Sequence, residues 1–184
     1  MIILIVQSVV SLVLIVYLIF LIFDMLDFLI KKIPPLPTSR SVIKFLLETM
    51  ENKEKKVFVD LGCGMGKVLI AVKKRFPETQ VIGYEIWPSQ FVLAKIKIFL
   101  AGIKAKVFYK DMFEADLKNA DIVFCFLLRN FMAPLEKKFE KELKAGALVI
   151  SNTFTLPNWK PVKTIRTHNN EKSSFGTLYI YKKE

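Results

Sequence analysis

Residues 57–66 read VFVDLGCGMG, and this stretch decides the fold. Its first five residues form a short apolar run that is typical of a buried strand. Three glycines follow at alternate positions, Gly62, Gly64 and Gly66, and a helix-like stretch comes next. Glycines let the backbone turn sharply and let a ligand approach, while a helix N-terminus offers free N–H groups. The stretch therefore predicts a strand, a ligand-binding turn and a helix.

Outward from this turn, strand-like and helix-like segments alternate. The strand-like runs are 56–61, 80–85, 104–109, 120–128 and 146–152. The helix-like stretches between them are 66–76, 88–101 and 130–143. Such alternation predicts an α/β fold with a mainly parallel sheet covered by helices. The last third differs, because 161–168 and 174–182 read as two strands joined by a polar turn with Asn169 and Asn170, which predicts an antiparallel C-terminal hairpin.

The N-terminal segment concentrates the apolar residues of a chain with a mean hydropathy of +0.37. Residues 1–30 contain no Lys or Arg, and their length suffices for a helix across the roughly 30 Å hydrocarbon core of a bilayer. We predict one transmembrane helix there, with a buried core helix as the alternative; a cleaved signal peptide would need a basic start and a small-residue cleavage site. Lys31 and Lys32 follow the span, which predicts that the rest of the chain is cytoplasmic.

The chain divides after the span. Residues 31–38 form a proline-rich linker that cannot continue a helix, and residues 39–184 form the globular domain. Ser39 or Thr38 is suited to cap a helix that runs to about Met50.

The formal net charge is +11, and residues 1–30 contribute only acids to it, so the water-facing part is more basic still. Such charge suits nucleic acid, acidic proteins or an anionic lipid surface. The basic residues are scattered without an RNA-binding aromatic signature, so a nucleic-acid partner is not predicted. Two cysteines, Cys63 and Cys125, and one histidine, His168, offer no metal-ligand spacing, and we predict no metal site. His168 is interpreted as a surface strand residue.

Three acidic residues lie at, or just after, the carboxyl ends of three successive strands. Asp60 precedes the glycines, which are spaced G-x-G-x-G rather than the G-x-G-x-x-G of dinucleotide-binding turns, and an acid there repels a pyrophosphate but attracts a cationic amino group. Glu85 ends the second strand, where an acid can accept both ribose hydroxyls. Asp111 follows the third strand and is placed to accept from an adenine amino group. An acid at a strand end also commonly caps the next helix or turn. The prediction of a ligand site therefore rests on the three acids together and not on any one of them.

The motif series DLGCGMG, GYE and KDMF resembles class I, seven-β-strand S-adenosylmethionine methyltransferases over most of residues 56–182. The resemblance implies a Rossmann-like sheet of order 3-2-1-4-5-7-6 with strand 7 antiparallel. It implies S-adenosyl-L-methionine as cofactor, its methionine part near Asp60 and the glycines, its ribose at Glu85 and its adenine at Asp111. Met65 and Lys67 depart from the commonest pattern, which has Asp and Arg there.

A narrower resemblance rests on PLPT, FLLRN, LEKKFEKEL and SNTFTLPNW. These stretches are similar to small archaeal protein lysine methyltransferases and to membrane-anchored mitochondrial enzymes that methylate the ATP synthase c subunit and the adenine nucleotide translocase. The resemblance implies methyl transfer to a lysine ε-amino group of a protein, in particular an integral membrane protein.

Several residues keep two interpretations. The substrate-channel candidates are Arg129, Asn130, Phe154 and Trp159. Asn130 is equally suited to cap the next helix, Phe154 and Trp159 are suited to pack a strand end, and Thr38 either reaches the cofactor carboxylate or caps its helix. No general base is evident, so an apolar channel that includes Phe124 and Phe126 would lower the pKa of the lysine by desolvation. The alternatives are a methyltransferase for lipids, quinones or other small membrane molecules, and a non-catalytic cofactor-binding membrane module.

Overall fold

The computed structural model describes residues 1–31, 37–51, 57–167 and 175–184, apart from the side chains of residues 24 and 27–31. Most of the proposed linker, His168 and the turn with Asn169 and Asn170 lie outside the described residues.

The N-terminal segment forms one long helix, α1 (Ile2–Lys31). Its stretch Ile2–Phe23 has a hydropathy of 2.9 and none of it is buried against the rest of the protein. The exposed Leu and Ile residues along it retain 43% to 80% of their accessible surface, which is unusual for a helix in water. The helix is therefore long and apolar enough to cross a membrane.

The rest of the described chain builds a seven-stranded sheet. Its strands are β1 (Val57–Leu61), β2 (Gln80–Glu85), β3 (Lys106–Tyr109), β4 (Ile122–Cys125), β5 (Leu148–Asn152), β6 (Lys163–Arg166) and β7 (Thr177–Lys182). Their order is β3-β2-β1-β4-β5-β7-β6, with β7 antiparallel to both of its neighbours and the other pairs parallel. The predicted α/β fold, strand order and C-terminal hairpin are confirmed.

Helices cover both faces of the sheet, as predicted. They are α2 (Arg40–Met50), α3 (Lys67–Arg75), α4 (Pro88–Leu100) and α5 (Met132–Glu142). Successive residues of a strand point to opposite faces, so Phe58 joins the core beneath α2, α3 and α4, whereas Val59 joins the core beneath α5. Ser39 caps α2 by accepting from the Val42 N–H at 3.2 Å, which resolves the choice between Ser39 and Thr38.

The strand after α4 and the strand before α5 are shorter than their apolar runs indicate. The run 120–128 continues past β4, but the chain leaves the sheet after Cys125 and forms a 3-10 turn at Arg129–Phe131 before α5 begins. Phe126 and Leu127 lie beyond the end of β4 and line a cleft instead of pairing in the sheet.

Candidate active site

A cleft of about 800 Å³ opens at the carboxyl ends of the central strands. The sheet order reverses direction between β1 and β4, and open α/β sheets bind ligands at such a point. The residues predicted from the sequence that line this cleft are Thr38, Asp60, Gly62, Gly64, Glu85, Asp111 and Asn130. Residues from five separate segments are thus brought to one cavity.

The glycine turn is held against the end of β2. The backbone N–H groups of Gly62 and Cys63 both donate to the Tyr84 carbonyl oxygen, at 2.9 and 3.0 Å. Gly62 has a φ of +77°, and a Cβ at this position would lie 3.0 Å from Leu127 Cδ2. The turn therefore requires glycine both for its backbone conformation and for its close approach to the segment after β4.

Gly66 has a different position from the other two glycines. Its N–H donates to the Cys63 carbonyl oxygen at 2.9 Å and closes the turn. A Cβ at Gly66 would lie 3.4 Å from the Cβ of Ala94 in α4. Gly66 is absent from the lining of the cleft and lets the start of α3 pack closely on α4.

Glu85 presents a fixed carboxylate to the cleft. Its Oε2 accepts from the Gly64 N–H at 2.7 Å, and its Oε1 accepts from the N–H groups of Ile86 and Trp87, both at 2.8 Å. Hydrogen bonds from N–H groups favour the ionised form of a carboxyl group. The same bonds join the glycine turn to the chain after β2, so the turn and this acid form one rigid wall.

Asp60 is a second acid that lines the cleft. Its side chain is 2% exposed, and within the described part of the chain no group donates a hydrogen bond to its carboxyl oxygens. Burial, and after it the charge of Glu85, raise the pKa of the Asp60 carboxyl well above its usual value. A cation placed in the cleft would oppose both effects and favour the carboxylate.

Asp111 and Thr38 also line the cleft. Asp111 Oδ1 accepts from the Phe113 N–H at 2.9 Å and caps a 3-10 turn, Met112–Glu114. It therefore caps a turn and lines the cleft at once, so the two interpretations made from the sequence are compatible. The Thr38 carbonyl oxygen accepts from Lys67 Nζ at 2.9 Å, which ties the segment before α2 to the start of α3.

Asn130 lies inside the 3-10 turn after β4, where it lines the cleft. The N-cap residue of α5 is Phe131, so Asn130 does not cap that helix. Phe126, Leu127 and Phe131 line the cleft beside it and form an apolar wall. This end of the cleft thus combines one amide side chain with two aromatic rings and a leucine.

The other three channel candidates do not line the cleft. The Arg129 guanidinium group lies over the Phe154 ring, 5.4 Å from its centroid. Trp159 packs on Phe139 and Tyr181, with ring centroids 6.5 and 6.3 Å away, over the core beneath α5. The Phe154 and Trp159 rings are thus in contact with other side chains. A substrate role for Arg129, Phe154 and Trp159 stays a prediction. Phe124, 1% exposed, is a core residue rather than a channel residue.

Comparison with known proteins assigns the family. The family model described as "ANTKMT methyltransferase domain" matches residues 60–163, which include the glycine turn, Glu85, Asp111 and the segment after β5. The chain belongs to the ANTKMT methyltransferase family. It is 31% identical over 154 residues to the "Protein-lysine N-methyltransferase" of Saccharolobus islandicus strain REY15A, an alignment that covers 83% of this chain and 94% of the relative.

Two further comparisons extend this result. The "Adenine nucleotide translocase lysine N-methyltransferase" of Mus musculus is 32% identical over 136 residues, 73% of this chain and 58% of the mouse protein. The ANTKMT-family chain thus spans only a little over half of that relative. The RNA methyltransferase from Salinibacter ruber in complex with S-adenosyl-L-homocysteine has a TM-score of 0.70 and 27% identity, covering 80% of this chain and 93% of that one.

The ANTKMT-family protein is an S-adenosyl-L-methionine-dependent methyltransferase, and the residues of its cleft fit this cofactor. The ligand carries an amino group and a sulfonium, and Asp60 offers a buried carboxyl group that lacks a hydrogen-bond donor in the described chain. Gly62 and Gly64 have no side chain and leave room for the ligand to lie against the backbone. Glu85 and Asp111 offer carboxylate hydrogen-bond acceptors elsewhere in the cleft. The donor and acceptor set is therefore that of a cationic nucleoside ligand.

The cleft of this ANTKMT-family enzyme also contains residues that the sequence did not indicate. They include Trp87, Gln90, Met112, Leu127 and Phe131. Trp87 comes two residues after the predicted ribose acid, and Met112 comes directly after the predicted adenine acid. Their proximity to those acids was a signal, whereas Gln90 on α4 carries none because only the fold brings it beside Gly64.

No metal cluster is seen: within residues 1–31, 37–51, 57–167 and 175–184, no three His, Cys, Asp or Glu side chains are grouped to hold an ion. Cys63 and Cys125 are free and buried. Burial raises the pKa of the Cys63 thiol and raises that of the Cys125 thiol to about 12, so both side chains are unreactive thiols at neutral pH.

Proposed function

We propose that this methyltransferase modifies the ε-amino group of lysine in proteins, and that its substrates are membrane proteins. The observation that carries the proposal is the 31% identity to a protein-lysine N-methyltransferase over 94% of that relative's length. The mouse relative, named for the lysine methylation of a translocase, supports the same substrate chemistry.

The apolar wall beside Asn130 supports methylation of an amine. S-adenosyl-L-methionine supplies an already activated methyl group, so the protein has to orient the acceptor, exclude water and keep the acceptor amine neutral. Phe126, Leu127 and Phe131 would desolvate an entering ammonium group and lower its pKa. The Asn130 amide oxygen is suited to accept a hydrogen bond from the amine and to direct its lone pair into the cleft.

The N-terminal helix supports a membrane location for the enzyme. We propose that residues 1–30 form a single transmembrane span, residues 31–38 a linker and residues 39–184 the methyltransferase domain. Lys31 and Lys32 after the span favour a cytoplasmic domain. The candidate span Ile2–Phe23 supports this arrangement, and the bilayer would then be a permanent partner of the enzyme.

The test uses the full chain in membranes with radiolabelled S-adenosyl-L-methionine. After incubation, protein, lipid extract and nucleic acid are separated and counted. Label in a protein band that digestion assigns to methyl-lysine is the expected result. Label in the lipid extract alone would replace the proposal by methylation of a small membrane molecule, and label in nucleic acid alone would make RNA the substrate.

Matched variants separate binding from chemistry. Asp60→Ala combined with Glu85→Ala removes two of the three acids that line the cleft and should abolish all labelling. Asn130→Ala should retain S-adenosylhomocysteine binding but reduce transfer. Wild-type protein that binds S-adenosylhomocysteine and labels nothing, with membrane proteins present, would support a non-catalytic module and contradict the proposal.

A further inference from the structure

Three apolar side chains on α4 face solvent. Ile96, Phe99 and Leu100 are 48%, 83% and 75% exposed, and Phe99 and Leu100 are the most exposed large apolar residues that the structure describes after α1. They are spaced i, i+3, i+4 and therefore share one helix face. The opposite face carries Ala94 and Ile98, which are buried in the core. The outer face of α4 is thus apolar where a soluble helix is normally polar.

Lysines flank this apolar face on both sides. At 3.6 residues per turn, Lys95 and Lys97 project to either side of the triad, and both are exposed. The surrounding stretch, residues 86–110, contains five lysines and no acidic residue. Apolar side chains flanked by a lysine on each side are typical of a helix that lies in the interface of an anionic bilayer. Lysine stems can extend along the apolar surface while their ammonium groups reach phosphate.

The position of α4 in the fold agrees with this pattern. α4 is in contact with α1, the candidate membrane span, so α4 lies beside the helix that would enter the bilayer. We propose that the apolar face formed by Ile96, Phe99 and Leu100 docks on the surface of a bilayer that contains anionic phospholipids. This inference rests on the proposed membrane span and adds a second, peripheral contact to it.

The docked helix also belongs to the cleft. Gln90 and Lys97 of α4 line the cavity that holds the glycine turn and Glu85. Docking of α4 would therefore fix the distance of the cleft from the lipid surface as well as hold the domain. The expected substrates are lysines close to the membrane-water interface.

The test places a fluorophore on α4 in the full chain. Phe99→Cys is labelled with S-adenosylhomocysteine present to cover Cys63, which lines the cleft, and Cys125 is buried. Wild-type protein treated in the same way gives the background labelling. Lys137→Cys, exposed on α5 at the opposite face of the sheet, is the matched control. The proteins are reconstituted in vesicles of phosphatidylcholine with 30 mol% phosphatidylglycerol, and quenching by lipid-attached nitroxide is compared with quenching by aqueous iodide.

The expected result is strong quenching at position 99 by the lipid nitroxide, with protection from iodide, and the reverse at position 137. Equal, aqueous behaviour at both positions would overturn the docking face. Protection of position 99 from both quenchers would also overturn it, because a protein surface or a second copy would then cover α4. An alkaline carbonate wash after the measurement tests the span separately: retained protein with an aqueous position 99 refutes docking and leaves the anchor intact.

A variant without the apolar face gives a functional readout. Phe99→Ser combined with Leu100→Ser should keep the wild-type rate on a soluble lysine peptide and lose rate on a membrane-embedded substrate. Equal rates of variant and wild type on both substrates would contradict a role of this face in methylation.

Discussion

Gly83 in β2 has no room for a methyl group, although its backbone is ordinary. A Cβ there would lie 2.6 Å from Leu69 Cδ1 and 2.7 Å from Cys63 Sγ. Leu69 is fully buried and Cys63 stands in the glycine turn, so relief requires a shift of the core or of the turn. Overpacking of this kind costs about 1–3 kcal/mol, so Gly83→Ala should lower the free energy of unfolding by that amount. In a chain of this size the melting temperature would fall by roughly 2–12 °C.

The same substitution should weaken cofactor binding. Cys63 lies between Gly62 and Gly64, which line the cleft, and a methyl group behind it would push the turn into the cavity. The measurement is thermal unfolding by circular dichroism together with calorimetric titration of S-adenosylhomocysteine, both on the full chain in detergent. An unchanged melting temperature with unchanged affinity would refute the reasoning.

A double-mutant cycle distinguishes overpacking from a general intolerance of substitution. Leu69→Ala removes the atom nearest to the added methyl group but costs about 2–5 kcal/mol by itself. If Gly83→Ala acts through this contact, the double variant should be more stable than the sum of the single effects indicates. Strict additivity would show that the contact with Leu69 is not the cause.

Two further predictions concern buried carboxyl groups. Burial and Glu85 raise the pKa of Asp60 above its unfolded value of about 3.9, so its contribution to stability is full below that pH and is lost as the pH rises through the raised pKa. Asp60→Asn should therefore raise the melting temperature of the ligand-free protein at pH 8 but not at pH 4. It should also abolish S-adenosylhomocysteine binding. An equal rise in melting temperature at both pH values would contradict this. Glu136 accepts from the Asn158 N–H, the Asn158 Nδ2 and the Trp159 N–H at 2.9, 2.7 and 3.1 Å. Glu136→Ala should cost about 1–3 kcal/mol for each donor left buried, measured by urea unfolding, whereas Glu136→Gln, whose oxygen can serve both backbone donors, should cost less; equal losses would show that these hydrogen bonds are not what the glutamate supplies.

The sheet and the acidic half of the site could be predicted because they depend on local patterns. A strand followed by G-x-G-x-G forces a turn, and acids at successive strand ends must meet where parallel strands end together. Asp60, Glu85 and Asp111 line one cleft for this reason. Asn130 lies in the segment after β4, which is the parallel neighbour of β1, and it therefore reaches the same cavity.

The aromatic residues could not be assigned in this way, because aromatic rings serve cores and channels equally well. Trp159 is suited by its sequence both to a channel and to packing a strand end. It packs on Tyr181, its loop is held by hydrogen bonds to Glu136, and its substrate role stays a prediction. That glutamate is 2% exposed, and nothing in its own sequence neighbourhood shows that it binds a loop some twenty residues away. The structure shows that Asn158 and Trp159, the segment NW after β5, are held in place by hydrogen bonds to the distant Glu136.

α4 connects the two halves of the proposed mechanism. Gln90 in its first turn and Lys97 in its last turn line the cleft, and its outer face carries Phe99 and Leu100. A helix of 13 residues is about 20 Å long, so a cleft that shares this helix with a lipid-docked face lies within that distance of the membrane surface. The anchor then restricts the enzyme to one surface, and α4 restricts the height at which it acts. A tethered domain without a docking face would reach lysines over the whole length of its linker, whereas the docked domain is expected to select those at the interface.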